Sequence, residues 1–236
     1  RGVPGSGRGR SGAVAVDGIE GLEPTTNGAG PQIKFTEPYI AQVTIVGTYP
    51  ILFHRWNVES VAEKAAAAKG SRAKKSDDTE SYVYRIAKGE EHEGCIAIPG
   101  DYFRQTIITA AKYLQDPRSP RKSAMDLFKA ALVVSPELTP ILSANGVEHP
   151  RPVKVWDYLD QRRVVVQRNG ITRSRPAFLK GWEASFEIEC ILAEYVSSDV
   201  LASTIANAGR LVGMADNRPT YGRYRVSRFE VAKLEM

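Results

Sequence analysis

Two hydrophobic rhythms run along the chain. In "WEASFEIECILAE", Trp182, Ala184, Phe186, Ile188, Cys190 and Leu192 take alternate positions, with Glu183, Ser185, Glu187 and Glu189 between them. A period of two puts successive side chains on opposite faces, so this stretch predicts a half-buried antiparallel strand. "YIAQVTIVG", Tyr39 to Gly47, is rich in β-branched residues and predicts an earlier strand, "CIAIPG" a short one and "GRYRVSRFEVAKLE" the last. The second rhythm is helical. In "DYFRQTIITAAKYL" the residues Phe103, Ile107, Ala110, Ala111 and Leu114 share a face, with Asp101 as the expected cap. "SAMDLFKAAL" and "SSDVLASTIANAGRLVG" predict two more helices, the latter capped by Ser197 or Ser198 and ending near Gly209 or Gly213. "VESVAEKAAAAKG" also reads as helical, and the charged "SRAKKSDDTES" after it reads as a loop.

This order of elements predicts an α+β fold: a ferredoxin-like (RRM-like) βαββαβ core with a helical insertion and a projecting β-hairpin. Residues 1–32, rich in Gly with Pro, Ser and Arg, cannot bury enough apolar surface to offset their ordering entropy and are expected to form a flexible arm. Residues 33–236 are expected to make a single RRM-like domain, with insertions at about 57–95 and 151–181.

The hairpin is expected in "RRVVVQRNGITRSRP", two extended runs joined at Asn169-Gly170, a strong two-residue turn signal. A turn there pairs Val166 with Arg173 and Val164 with Arg175. Arginines then share a face with valines, while Gln167, Thr172 and Ser174 take the other. That pattern suits a projecting arm whose guanidinium forks meet a phosphate backbone. An edge hairpin kept soluble by its charge is the alternative.

Composition adds less than position does. The chain has 236 residues, 42% of them hydrophobic, enough for a sizeable core. Its 32 Lys+Arg against 27 Asp+Glu leave only +5. The basic residues are segregated, however: eight against two acidic between Arg151 and Lys180, and five against one between Arg210 and Arg228. Local concentration of this kind marks a contact surface for a polyanion. Two cysteines without a CxxC pair and three scattered histidines predict neither a disulfide framework nor a zinc site, since "HEGC" at His92 to Cys95 has no second half. No metal or cofactor is expected. No apolar run approaches the roughly 20 residues of a membrane span, so the expectation is a cytoplasmic protein of a bacterial or phage-infected cell without a membrane partner.

The stretch "NAGRLVGMADNRPTYGRYRVSRF", Asn207 to Phe229, sets Gly209, Gly213 and Gly222 among arginines. Glycines permit positive φ and close approach of backbone amides to a ligand. Arg218 and Arg223, with Tyr221 between them, suit phosphate binding and base stacking. No Gly-Lys-Ser/Thr follows, so this is not a P-loop, and the loop closes a helix where a dinucleotide fingerprint would open one. It also lacks the aromatic that an RRM signature sets beside its glycine.

A glycine-rich loop after the last helix, leading into a Gly-Arg-aromatic strand, resembles the RAMP superfamily of CRISPR proteins, nearest to the backbone subunits that polymerise along guide RNA. The chain also looks like uncharacterised phage and prophage proteins that open "GT.P..FHR" and finish "AG..VG..D.RP..GR". The RAMP resemblance implies an RRM-like palm, with "RRVVVQRNGITRSR" as a thumb, "GMADNRPTYGRY" as the glycine loop, and His54 and Arg55 of "FHRWN" at the palm's edge. The reading is a non-enzymatic, sequence-tolerant binder of single-stranded nucleic acid, RNA before DNA, forming a homo-oligomer or filament along the strand. Its expected contact residues are Arg162, Arg163, Arg168, Arg173, Arg175, Arg210, Arg218, Tyr221, Arg223 and Arg225, with His54, Arg55 and Arg104 as additions.

Two other classes compete. One is a phage structural or assembly protein whose basic hairpin contacts a neighbouring subunit. The other is a metal-dependent nuclease centred on Asp216, although that carboxylate is expected to bond its own turn amides or Arg218. Asp157 and Asp160 would share a metal only if "VWDYLDQRR" were helical; balance by Arg162 and Arg163 is the plainer reading. No catalytic residue is assigned.

Overall fold

The computed structural model describes residues 37–55, 78–143, 150–166 and 169–234. The expected N-terminal arm, the helix expected at 58–70 and Arg168 lie outside the described residues. In chain order the strands are β1 (Tyr39–Gly47), β2 (Ile51–Leu52), β3 (Tyr84–Arg85), β4 (Ile96–Pro99), β5 (Gln115–Asp116), β6 (Ser119–Ser123), β7 (Leu132–Ser135), β8 (Leu138–Pro140), β9 (Leu142–Ser143), β10 (Arg151–Pro152), β11 (Tyr158–Val166), β12 (Asn169–Phe178), β13 (Glu183–Cys190) and β14 (Tyr224–Lys233). The α-helices are α1 (Gly100–Ala110), α2 (Met125–Ala131) and α3 (Ser198–Asn207). The fold is α+β, and its sheets are antiparallel.

β1 is the centre of the main sheet. It pairs antiparallel with β13 on one side and with β14 on the other, and β7 pairs antiparallel with the far edge of β13. The order across the sheet is therefore β14-β1-β13-β7, with β9 meeting β13 at Glu183 and β10 beyond it. β13 and β14 run parallel to each other with β1 between them, and α3 is the crossover that joins them.

The period-two pattern is realised residue by residue. Ala184, Phe186, Ile188 and Cys190 of β13 face inward, as do Tyr39, Ala41, Val43 and Ile45 of β1. The helices close over this face. Phe103 of α1 stacks on Phe186 at 4.4 Å between ring centroids, and the Thr106 and Tyr224 hydroxyls meet at 3.0 Å. On the α3 side, Tyr39 donates its phenol to the Val196 carbonyl at 2.9 Å. Burial raises the Tyr39 and Tyr224 phenols above their ordinary range, so both stay protonated inside the core.

The opposite face of the sheet is polar. Gln42 donates to Glu187, Thr44 meets Ser185, and Arg228 forms a two-pronged pair with Glu230. A one-residue bulge at Ser227 shifts the register of β14 against β1.

α1 starts two residues earlier than a cap at Asp101 predicts. Its N-cap is Pro99, which makes no side-chain cap bond, and Asp101 lies in the first turn, where a carboxylate complements the helix dipole. At α3 the expected cap is Ser197, whose hydroxyl accepts from the Val200 amide. That helix runs on through a π-helical turn, Ala208–Val212, and stops at Gly213, which has φ of 72°.

Candidate nucleic-acid interface

The hairpin exists, but its turn is not at Asn169-Gly170. β11 and β12 pair Val166 with Asn169, Arg162 with Arg173, Asp160 with Arg175 and Tyr158 with Ala177. The strands thus connect through residues 167–168, and every pairing is four residues away from the one the Asn-Gly signal predicts. The base of the hairpin explains the difference. Ala177 and Phe178 are fully buried and pair with Leu52 and Ile51 of β2, while the Asp157 amide bonds the Ala177 carbonyl. Burial at the base outweighs a turn preference at the tip. Because four is even, Arg173 and Arg175 keep the face they were expected to share, and Asp160 and Arg162 join them.

β2, only two residues long, is stitched on both sides. The hairpin lies on one side, where the Phe53 amide also bonds the Pro176 carbonyl. On the other lies the loop after α3: the Asp216 amide bonds the Leu52 carbonyl at 3.0 Å and the Gly222 amide bonds the Pro50 carbonyl at 2.8 Å. Hairpin and glycine loop therefore face each other across β2, and two side-chain links close the gap. Arg175 donates Nε to Asp216 Oδ2 at 2.6 Å. Arg162 donates to the Tyr221 hydroxyl and places its guanidinium 4.6 Å from that ring's centroid. Asp160, itself buried, accepts from Arg162 Nε at 2.8 and 2.9 Å with its two oxygens and raises the Arg162 pKa.

These links change what several arginines can do. Arg175 is 4% exposed and ion-paired, so it is a structural joint and not the phosphate contact expected of it. Its Nη1 is buried with no hydrogen-bond partner among the described residues. Asp216 is held by Arg175, where its own turn or Arg218 was expected. Asp157 lies in a bend just before β11 and Asp160 within the strand, so the stretch is not helical; Asp157 accepts from the Leu179 amide while Asp160 holds Arg162.

The glycines of the loop serve the loop itself. A Cβ on Gly222 would fall 1.9 Å from the Met214 carbonyl oxygen, and one on Gly213 would fall 2.7 Å from that of Tyr221; both residues have positive φ. The amides of Gly213, Met214, Asp216, Tyr221 and Gly222 bond backbone carbonyls. They do not form a cradle for phosphate, and what the loop offers a ligand is its side chains.

Arg218, exposed, lines a cleft of about 250 Å³ with His54, Tyr102, Gln105, Ala215 and Asp216. The His54 ring packs against Tyr82 at 4.4 Å. Arg173 is half-buried opposite Arg162, and Arg163 is exposed on the other face of the hairpin. Arg223 bonds the Pro219 carbonyl and lies 5.7 Å from the Tyr49 ring. Arg210 is exposed on the π-helical turn. Arg55 lies over the Tyr84 ring at 4.7 Å.

Two expected contacts are elsewhere. Arg104 donates to the carbonyls of Leu132 and Lys129, capping the end of α2. Arg225 pairs with Val46 and is exposed on the polar face of the sheet, away from the buried Tyr224 beside it. Tyr102, Gln105 and Tyr84 were not expected in a site. No local pattern marks them: Tyr102 adjoins the buried Phe103 on α1, and Tyr84 belongs to a strand of two residues.

No protein-family model and no curated protein sequence matches the chain. Among the described residues no helix is long and apolar enough to cross a membrane.

Proposed function

We propose that this chain is a non-enzymatic, sequence-tolerant binder of single-stranded nucleic acid that assembles as a homo-oligomer along the strand. The observation that carries the reading is the joint between hairpin and glycine loop, Arg175 with Asp216 and Arg162 with Tyr221. It brings two basic segments, distant in sequence, onto one surface where arginines outnumber carboxylates and an aromatic ring lies among them. Arg162, Arg173, Arg218 and Arg223 supply phosphate contacts there, and Tyr221 a stacking face.

The sheet order β14-β1-β13-β7, antiparallel throughout, with α1 and α3 on one face, supports a ferredoxin-like βαββαβ core. On that reading the hairpin is the thumb and the main sheet the palm of a RAMP-type subunit, and RNA is favoured through this likeness. The polar outer face, with Gln42, Thr44, Ser185, Glu187 and Glu230, has no aromatic platform among these residues and is not the proposed track. Asp216, engaged by a buried guanidinium, is poorly placed to serve as a metal ligand or base, which counts against a nuclease.

Fluorescence anisotropy with labelled single-stranded RNA and DNA of about 30 nucleotides, across a salt series, tests this. Binding whose log K falls steeply with log[salt] supports it. Absence of binding to either strand at low salt overturns it and favours an assembly protein whose basic surface meets an acidic subunit.

A further inference from the structure

Beyond the smaller cleft lies a larger one of about 620 Å³, and Tyr102 lines both. Its wall includes Arg55, Tyr84, Arg85, Asp101 and Glu137. His54 and Arg55, adjacent in the chain, line one cleft each. We propose that the larger cleft stacks one nucleobase of the bound strand on the Arg55 guanidinium and there selects an amino-bearing base over uracil or thymine. The proposal rests on the nucleic-acid reading above and adds one discriminating position to an otherwise sequence-tolerant surface.

The stacking platform is already assembled. The Arg55 guanidinium lies 4.7 Å from the Tyr84 centroid, and Tyr102 holds Tyr84 edge-on, 5.8 Å away at 86°. The Arg55 amide bonds the Tyr82 carbonyl at 2.9 Å, which fixes the backbone below the platform. Arg55 is exposed, and among the described residues the ring that its guanidinium lies over is that of Tyr84. Guanidinium planes stack on bases as aromatic rings do. A volume of 620 Å³ is in the range of small-molecule sites.

The cleft's charge decides between base and phosphate. Arg85 is spent on the Gly94 and Lys154 carbonyls and on Glu80, so it adds no anion contact. Asp101 and Glu137 form no ion pair among the described residues. Two carboxylates repel a phosphate but accept hydrogen bonds from the exocyclic amino groups of cytosine, adenine or guanine. Uracil and thymine have no such group; their single imide N–H is flanked by carbonyl oxygens, which would confront the carboxylates. Phosphates then stay with Arg218 at the smaller cleft while the next base turns into the larger one.

The test uses the full chain, with labelled oligo-C and oligo-U of about 30 nucleotides and a strand carrying 2-aminopurine as a stacking probe. Wild type should bind oligo-C about tenfold more tightly than oligo-U. The combined variant Asp101→Asn, Glu137→Gln should erase that ratio. Arg55→Ala and Tyr84→Ala should abolish part of the 2-aminopurine quenching, and Tyr84→Phe should retain it. Equal affinity of wild type for oligo-C and oligo-U, which needs no variant to measure, overturns the proposal. Quenching untouched by Arg55→Ala does the same. In both cases salt-dependent binding persists and the broader reading stands, whereas failure to bind any strand removes the reading on which the cleft assignment depends.

Discussion

Arg175 and Asp216 stand 41 residues apart in the chain and 2.6 Å apart in space. One belongs to the hairpin and the other to the glycine loop, so a single bond records that the two basic segments share a surface. Its partners are unequally buried: the Arg175 side chain is 5% exposed and that of Asp216 32%.

That inequality predicts unequal losses. Asp216→Ala leaves a buried guanidinium uncompensated and should cost about 2 kcal/mol, less than a fully buried pair because water already reaches the carboxylate. Arg175→Met leaves a carboxylate that solvent can take over and should cost less. The double variant should recover part of the Asp216→Ala loss. Urea unfolding of the four proteins gives the coupling directly; equal and additive losses would mean the pair contributes nothing as a pair.

Gly222→Ala should destabilise the fold by about 3 kcal/mol, since both its positive φ and the Met214 carbonyl stand in the way of a side chain. The unfolding midpoint checks this. If the glycine serves loop packing, as its contacts indicate, any loss of nucleic-acid binding should track the loss of folded protein at each temperature.

Asp116 provides an acid-sensitive point outside the proposed site. It accepts from the Arg118 side chain and amide, and Arg118 lowers its pKa from the ordinary 3.8 to about 2. A folded value below the unfolded one stabilises where the carboxylate is ionised. The contribution is complete above pH 3.8 and fades as pH falls through about 2. Asp116→Asn should flatten this part of the stability–pH curve, as followed by thermal unfolding at successive pH values; an unchanged acid limb would show that the pair does not report on folding.

Salt dependence separates surface arginines from structural ones. Arg173→Ala and Arg218→Ala should each reduce the slope of log K against log[salt] by about 0.7, the single-strand value per phosphate contact. Arg225→Ala, on the polar face of the sheet, should leave the slope unchanged. A uniform response from all three would place the strand somewhere other than the hairpin–loop surface.

The strands and helices that pack the core were legible in the chain because their periodicity is itself the record of which side meets the helices. Phe186, Ile188 and Cys190 of β13, and Phe103 and Ile107 of α1, are buried where their spacing places them. The segregation of arginines was legible too, since charge density is a property of order alone. The hairpin was legible as two strands but not in register: Asn169-Gly170 is a local turn preference, while Ala177 and Phe178 answer to Leu52 and Ile51, more than a hundred residues earlier.

The residue pattern thus settled the alternating strands, the helix faces and the concentration of positive charge, each a consequence of short-range spacing. Tertiary structure settled which of those charges remain available. Burial against β2 turns Arg175 into an ion-paired joint, α2 claims Arg104 for its carbonyls, and the sheet turns Arg225 to its polar side. It also assembled Arg55, Tyr84 and Tyr102 at one cleft. A guanidinium's role depends on the acceptors and the solvent around it, and those come from segments far away in the chain, brought within a few ångströms only when the core closes.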